Sequence, residues 1–280
     1  MIIDARLRPP TDYYLSSTTD IPGFDTYYKR FGVERAPSLE GRSMELCFQE
    51  MDKVGVTLAL CPARWGWGKD PLVPADEVVR VMQEYPGRFY GAVAVDGSQT
   101  RRAFSIIEEY VLNGPVKAVC MEPGISQTPL YIDDKRLYPI YDFLQEREIP
   151  LFLMGGGANG PDLSYQDAVH MDRMLVDFPN LTVIDIHANV PFVQQAIMVA
   201  LRRPNLFLCP DMYLDNTPFM REFVDAMNCM LQDQIVYGSS YPFIGIVEGY
   251  ELFMKMPIKK DVLPKIFYEN AARALKLDSN

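Results

Sequence analysis

The sequence predicts a (β/α)8 barrel, on three observations. Eight short apolar runs rich in β-branched residues recur along its 280 residues. Segments of helical period separate them. No GxGxxG follows the first run, which argues against a doubly wound open sheet. The runs are IIDARLR (2–8), VTLALCPAR (56–64), FYGAVAVD (89–96), VKAVCMEP (116–123), PLFLMGG (150–156), LTVIDIHAN (181–189), LFLCPDMY (206–213) and IVYGSSYP (235–242). Near-continuous apolarity over so few residues suits strands buried on both faces of a parallel sheet.

The helices follow from spacing. Met44, Cys47, Phe48 and Met51 recur at i, i+3, i+4, i+7, as do Leu137, Ile140, Tyr141 and Leu144, and Val193, Ala196, Ile197 and Ala200. KIFYENAARALKL predicts a last helix. Residues 9–40 form a long connection carrying Tyr13, Tyr14, Phe24, Tyr27 and Tyr28, which reads as a lid over a site or as an oligomer contact. The run Gly155-Gly156-Gly157 reads as a turn, since no P-loop lysine or hydroxyl pair follows it. With no linker, repeat or low-complexity tract, one domain spanning 1–280 is expected, in a homo-oligomer.

Composition narrows the function. The chain is 48% hydrophobic and 23% charged, the balance of an ordinary globular protein. A formal net charge of -10 argues against a nucleic-acid partner, so any anion site must be a local basic pocket. No apolar run approaches the roughly 20 residues of a membrane span. The first strand begins at Ile2, leaving no room for a signal peptide, so a cytoplasmic protein is expected. The five cysteines are odd in number and lack CxxC spacing, and so read as reduced thiols. Only two histidines occur, His170 and His187. That is too few for a histidine-built metal site. His170 lies in a predicted helix and reads as surface or packing.

In such barrels chemistry sits at the C-terminal ends of the strands. The polar residues there are Arg6, Arg8, Arg64, Asp96, Glu122, Asp185, His187, Asn189, Asp211, Tyr213, Ser239, Ser240 and Tyr241. Arg6 and Arg8, two apart, share one side of a strand. They read either as an anion-binding pair or as an ion-pair cluster with Glu122, Asp185 or Asp211.

The chain resembles the amidohydrolase-related branch of the amidohydrolase superfamily, over almost its whole length. IIDARLRPP falls where that branch has IIDxHxHxxP, and IVYGSSYPF resembles its GSDYPF. YIDDKRLYPIYDFLQEREIPLFLMGGG resembles the approach to strand five, and LTVIDIHANVPFVQQAIMVALRRPNLFL the strand-six histidine segment. IFYENAARALKL resembles the terminal helix. The resemblance implies a divalent metal held by the two histidines of HxH, histidines of strands five and six and a strand-eight aspartate. At those positions this chain has Arg6, Arg8, Met154 (by a looser alignment), His187 and Ser240. A guanidinium is a permanent cation and does not ligate zinc.

The expectation is therefore an enzyme of this group without a metal or other cofactor, acting on a small carboxylated molecule. The resemblance implies hydrolysis of a lactone or similar acyl bond, with decarboxylation or another C–C cleavage as the alternative. His187 is the expected general base or acid, with Asp211 and Glu122 as its catalytic partners. Arg6, Arg8 and Arg64 would hold anionic groups of the substrate, with Tyr213 and Ser240 beside them. Two further readings stay open: a non-catalytic barrel that binds a small acid, and a divalent ion held by Asp4, Glu122, Asp185 or Asp211, where oxygen donors would favour Mg²⁺ or Mn²⁺.

Overall fold

The computed structural model describes residues 1–157 and 159–277. Seven parallel strands form one sheet in sequential order: β1 (Ile2–Asp4), β2 (Val56–Pro62), β3 (Phe89–Ala94), β4 (Ala118–Met121), β5 (Leu151–Met154), β6 (Val183–Ile186) and β7 (Leu206–Cys209). Leu153 of β5 faces Asp185 of β6, which in turn faces Leu208 of β7.

The eighth predicted strand is corrected. Ile235 forms one isolated parallel bridge with Leu208, and among the described residues no strand follows. The segment still links the sheet's two edges: Val236 N donates to Leu208 O at 2.9 Å, and Ala5 N to Tyr237 O at 2.8 Å. The ladder stops because its apolar stretch ends at Tyr237. Ser240 then takes a φ of 65°, outside strand geometry, and Pro242 has no N–H to donate.

The connection after β1 is not bare loop. It folds into α1 (Asp12–Ser16), α2 (Asp25–Phe31) and α3 (Pro37–Glu40). The helices that alternate with strands are α4 (Met44–Val54), α5 (Ala75–Glu84), α6 (Thr100–Ile106), α7 (Tyr138–Glu146), α8 (Ala168–Asp177), α9 (Val193–Arg202), α10 (Met220–Met227) and α11 (Ile246–Met254), with α12 (Asn270–Ala274) last. Their bounds have local causes. Ser43 caps α4 by accepting from Leu46 N, and Gly55 ends it with a φ of 82°. The predicted stripes face inward: α4 buries Cys47 and Met51, α7 buries Ile140, Tyr141 and Leu144, and α9 buries Val193, Ala196 and Ala200.

The core has two layers. Leu7, Cys61, Val93, Val119, Leu153 and Leu208 belong to the thick layer between sheet and helices. Ile3, Ala5, Leu60, Ala118, Phe152, Ile184, Ile186 and Cys209 fill the sheet's inner side, where Ala271 and Ala274 of α12 join them. Four cysteines are buried free thiols and Cys229 is an exposed one. Among the described residues, no helix is long and apolar enough to cross a membrane.

Candidate active site

The strands end earlier than their apolar runs suggest, and the polar residues sit in the turns just beyond. β1 stops at Asp4 because its carboxylate accepts from the backbone N–H of Arg6 and of Ser239, each at 3.0 Å. Arg6 and Arg8 therefore lie just past the strand rather than in it, Arg6 in a bend. Both are nonetheless buried, 1% and 2% exposed, and both line one cavity of about 160 Å³ at the C-terminal ends of the strands. Arg64, Glu122, His187 and Tyr213 line it too.

Two predicted site residues lie one step behind the wall. Asp211 accepts at 2.9 Å from His187 Nδ1 and at 3.2 Å from the Ser240 hydroxyl, and lies 3.9 Å from Arg6 Nε. Ser240 spends its hydroxyl on Asp211 and does not line the cavity. A carboxylate only accepts, so Nδ1 carries a proton, and in the neutral imidazole Nε2 is the nitrogen left with a lone pair.

His187 is held there by an unusual turn. His187, Ala188 and Asn189 take φ values of 68°, 45° and 51°, and Asp211 one of 39°. Such a run persists only when its surroundings over-determine it. Here His187 N donates to Cys209 O at 2.9 Å, and Asn189 Nδ2 donates to Gly155 O and Gln166 O, each at 3.1 Å. The glycine run serves this packing. A Cβ on Gly156 would lie 2.5 Å from His187 O, and one on Gly157 2.6 Å from the Tyr213 hydroxyl.

The charges are unevenly matched. Arg64 Nε donates to Glu122 Oε2 at 3.3 Å, and Arg8 Nη2 lies 3.6 Å from Glu122 Oε1. Arg6 Nη1 donates to Ser240 O at 2.7 Å and Arg8 Nε to Pro62 O at 3.1 Å. Among the described residues, Arg6 Nε, Arg8 Nη2 and Glu122 Oε1 are buried without a hydrogen-bond partner. Burial, and then the neighbouring Arg6, push the Arg8 guanidinium down to about 9, which leaves it protonated near neutral pH. Burial also raises Asp4, and Asp185 well above the usual carboxylate range, favouring their neutral acids. Three guanidiniums, those of Arg6, Arg8 and Arg64, thus stand beside the carboxylates of Glu122 and Asp211.

Sequence reading missed part of the wall. Met212, Phe243 and Asn159 also line the cavity, as do Met154 and Tyr27 of α2. Asn159 Nδ2 donates to Gly156 O at 2.8 Å, and its own carbonyl accepts from Gln166 Nε2. Asn159 lies two residues beyond the glycine run and Phe243 closes the IVYGSSYPF stretch, which was the available signal. Tyr27 is one of five aromatic residues named together in the first connection, where nothing in the sequence sets it apart. Its companions go elsewhere: Tyr14 is buried, Tyr28 donates to Pro242 O at 2.9 Å, and Tyr13 is exposed. His170, at the side of the barrel, has Nδ1 2.7 Å from Asp133. Asp96 anchors a turn through Ser98, Gln99 and Gln127 N.

The donor set does not fit the divalent metal implied by the resemblance. Two guanidiniums stand at ligand positions, the Ser240 hydroxyl is donated to Asp211, and His187 turns Nδ1 to the same carboxylate. Asp4, Glu122, Asp185 and Asp211 are engaged by separate partners: backbone amides, arginines, Gly155 N, and His187 with Ser240. Among the described residues, no three His, Cys, Asp or Glu side chains are grouped to hold a metal ion.

Residues 66–277 match the amidohydrolase family. No curated protein matches the chain at a significant level. Among solved structures, an uncharacterized TIM-barrel protein of Bordetella bronchiseptica is similar, with 39% identity over 98% of each chain and a TM-score of 0.92. The 2,6-dihydroxybenzoate decarboxylase of Rhizobium is 17% identical over 99% of each chain, with a TM-score of 0.75. The 5-carboxyvanillate decarboxylase of Sphingomonas paucimobilis is 15% identical over 99% of each chain, with a TM-score of 0.68. These two share the fold. With the family model matched over most of its length, the chain belongs to the amidohydrolase family.

Proposed function

We propose that the protein is a metal-independent hydrolase that opens a lactone or similar acyl bond in a small carboxylated substrate. One observation carries this reading. Two buried guanidiniums, those of Arg6 and Arg8, line a small cavity that also holds a histidine backed by a carboxylate. A carboxylate of the substrate is the acceptor that suits these two guanidiniums. His187 Nε2 takes a proton from the attacking water and returns it to the leaving oxygen. Asp211 keeps the imidazole in the tautomer that can do so, while Glu122 orients Arg8 and Arg64. The guanidiniums supply part of the positive field that a metal would supply to the developing oxyanion. At about 30 Å³ per water, the cavity has room for about five waters, which suits a small acid.

A second reading rests on the fold neighbours named as decarboxylases. In it, the arginines again hold the acid and His187 delivers the proton that replaces the lost carboxyl group. Assaying released CO₂ against titrated acid separates the two reactions. A purified protein that turns over neither lactones nor carboxylates, yet binds them, is the non-catalytic barrel.

Two expected results test the site. Protein expressed in medium supplemented with zinc and manganese should hold neither at stoichiometric level by elemental analysis. One equivalent that is lost on mutating Asp211 or Glu122 would overturn metal independence. Isophthalate at a hundredfold excess over its Kd should raise the melting temperature by about 5 °C. The neutral isophthalamide should not, and Arg8→Gln should abolish the shift while the fold persists.

A further inference from the structure

We infer that the Tyr27 hydroxyl donates a hydrogen bond to an oxygen of the bound acid, making it a substrate-binding residue supplied by the connection after β1. The inference rests on the carboxylate reading of the cavity and adds to it a donor that neither the sequence motifs nor the family positions assign.

The ring of Tyr27 is fixed without help from its hydroxyl. It stacks on Phe24 at 5.0 Å and on Phe31 at 4.4 Å between centroids, and leans on Phe243 at 5.5 Å. Phe243 in turn carries the Arg6 guanidinium 4.6 Å from its ring centroid. One aromatic cluster therefore sets both the phenol and the cation that meets the anion. The spacing between them is preorganised.

The hydroxyl itself is poorly used. Among the described residues its partner is Met212 Sδ at 3.1 Å, and a thioether is a weak acceptor. Tyr27 and Met212 both line the cavity, and the phenol lies close enough to Arg6, Asp211 and Tyr213 to feel their charges. Burial raises its pKa far above the ordinary phenol value, so it remains a donor at any working pH. A half-buried donor facing a cationic cavity and resting on a thioether gains by turning to a carboxylate or carbonyl oxygen.

The test is calorimetric titration of isophthalate into the wild type, Tyr27→Phe and Arg8→Gln, with the melting temperature of each ligand-free protein. Expected are binding by the wild type and its loss in Arg8→Gln. Tyr27→Phe should bind roughly tenfold more weakly, the effect of one hydrogen bond to a charged acceptor, with an unchanged melting temperature. If Arg8→Gln loses binding and Tyr27→Phe keeps wild-type affinity, the role of Tyr27 is overturned and the anion reading stands. Weaker binding by Tyr27→Phe together with a lowered melting temperature makes Tyr27 structural and also overturns the inference. If the wild type does not bind isophthalate, the carboxylate reading fails and takes the inference with it.

Discussion

His187→Gln should lower kcat by roughly 10²–10⁴-fold, the usual contribution of a positioned general base, with little change in KM. The expectation follows from the direction in which the ring is wired. Nδ1 is committed to Asp211 at 2.9 Å, and the rest of the imidazole faces the cavity. Glutamine keeps a polar side chain of similar length but has no nitrogen that accepts and returns a proton. Steady-state kinetics on the first substrate found to turn over gives the answer. A variant with near-normal kcat and a raised KM would make His187 a binding group and move the base to another side chain.

Arg6→Met should cost about 3–5 kcal/mol of folding stability, the range for removing one partner of a buried ion pair. Arg6 is 1% exposed, Asp211 is 2% exposed, and their closest approach is 3.9 Å. Methionine replaces the stem but leaves the Asp211 carboxylate buried with only His187 and Ser240 as partners. The double variant Arg6→Met/Asp211→Asn should recover part of the loss, because the stranded charge is gone. Urea unfolding of the wild type, Arg6→Met, Asp211→Asn and the double variant measures the coupling. A single-variant cost below about 1 kcal/mol, in the range of exposed pairs, would show that Asp211 is already relieved by solvent or by its other partners.

The barrel was legible because its signals are local. Apolar runs such as LFLM at 151–154 and VIDI at 183–186 are strands for reasons contained within them, and the stripe on α7 names its own buried face. The ends of elements were less legible. Nothing in IIDARLR says that the Asp4 side chain will capture Arg6 N and end β1 early, since half of that turn comes from Ser239, far along the chain. The same long-range pairing hid the place of Ser240, whose hydroxyl is claimed by Asp211. Residues of ordinary type in irregular segments, such as Asn159 and Met212, carry no periodicity at all. They reach the cavity only because β5 and β7 deliver their loops to the same end of the barrel.

The filled interior below the site has a kinetic consequence. Phe152, Ile184, Ile186 and Cys209 occupy the space between the cavity and α12, which brings Ala271 and Ala274 against the same core. Access to the cavity then runs past its more exposed wall, where Tyr27 and the partly exposed Arg64 stand. Product and incoming substrate compete for the same threshold and the same guanidiniums. If the reaction is the proposed lactone hydrolysis, the product is the more anionic of the two and the better ligand for these guanidiniums, and its departure, rather than bond cleavage, should then limit turnover.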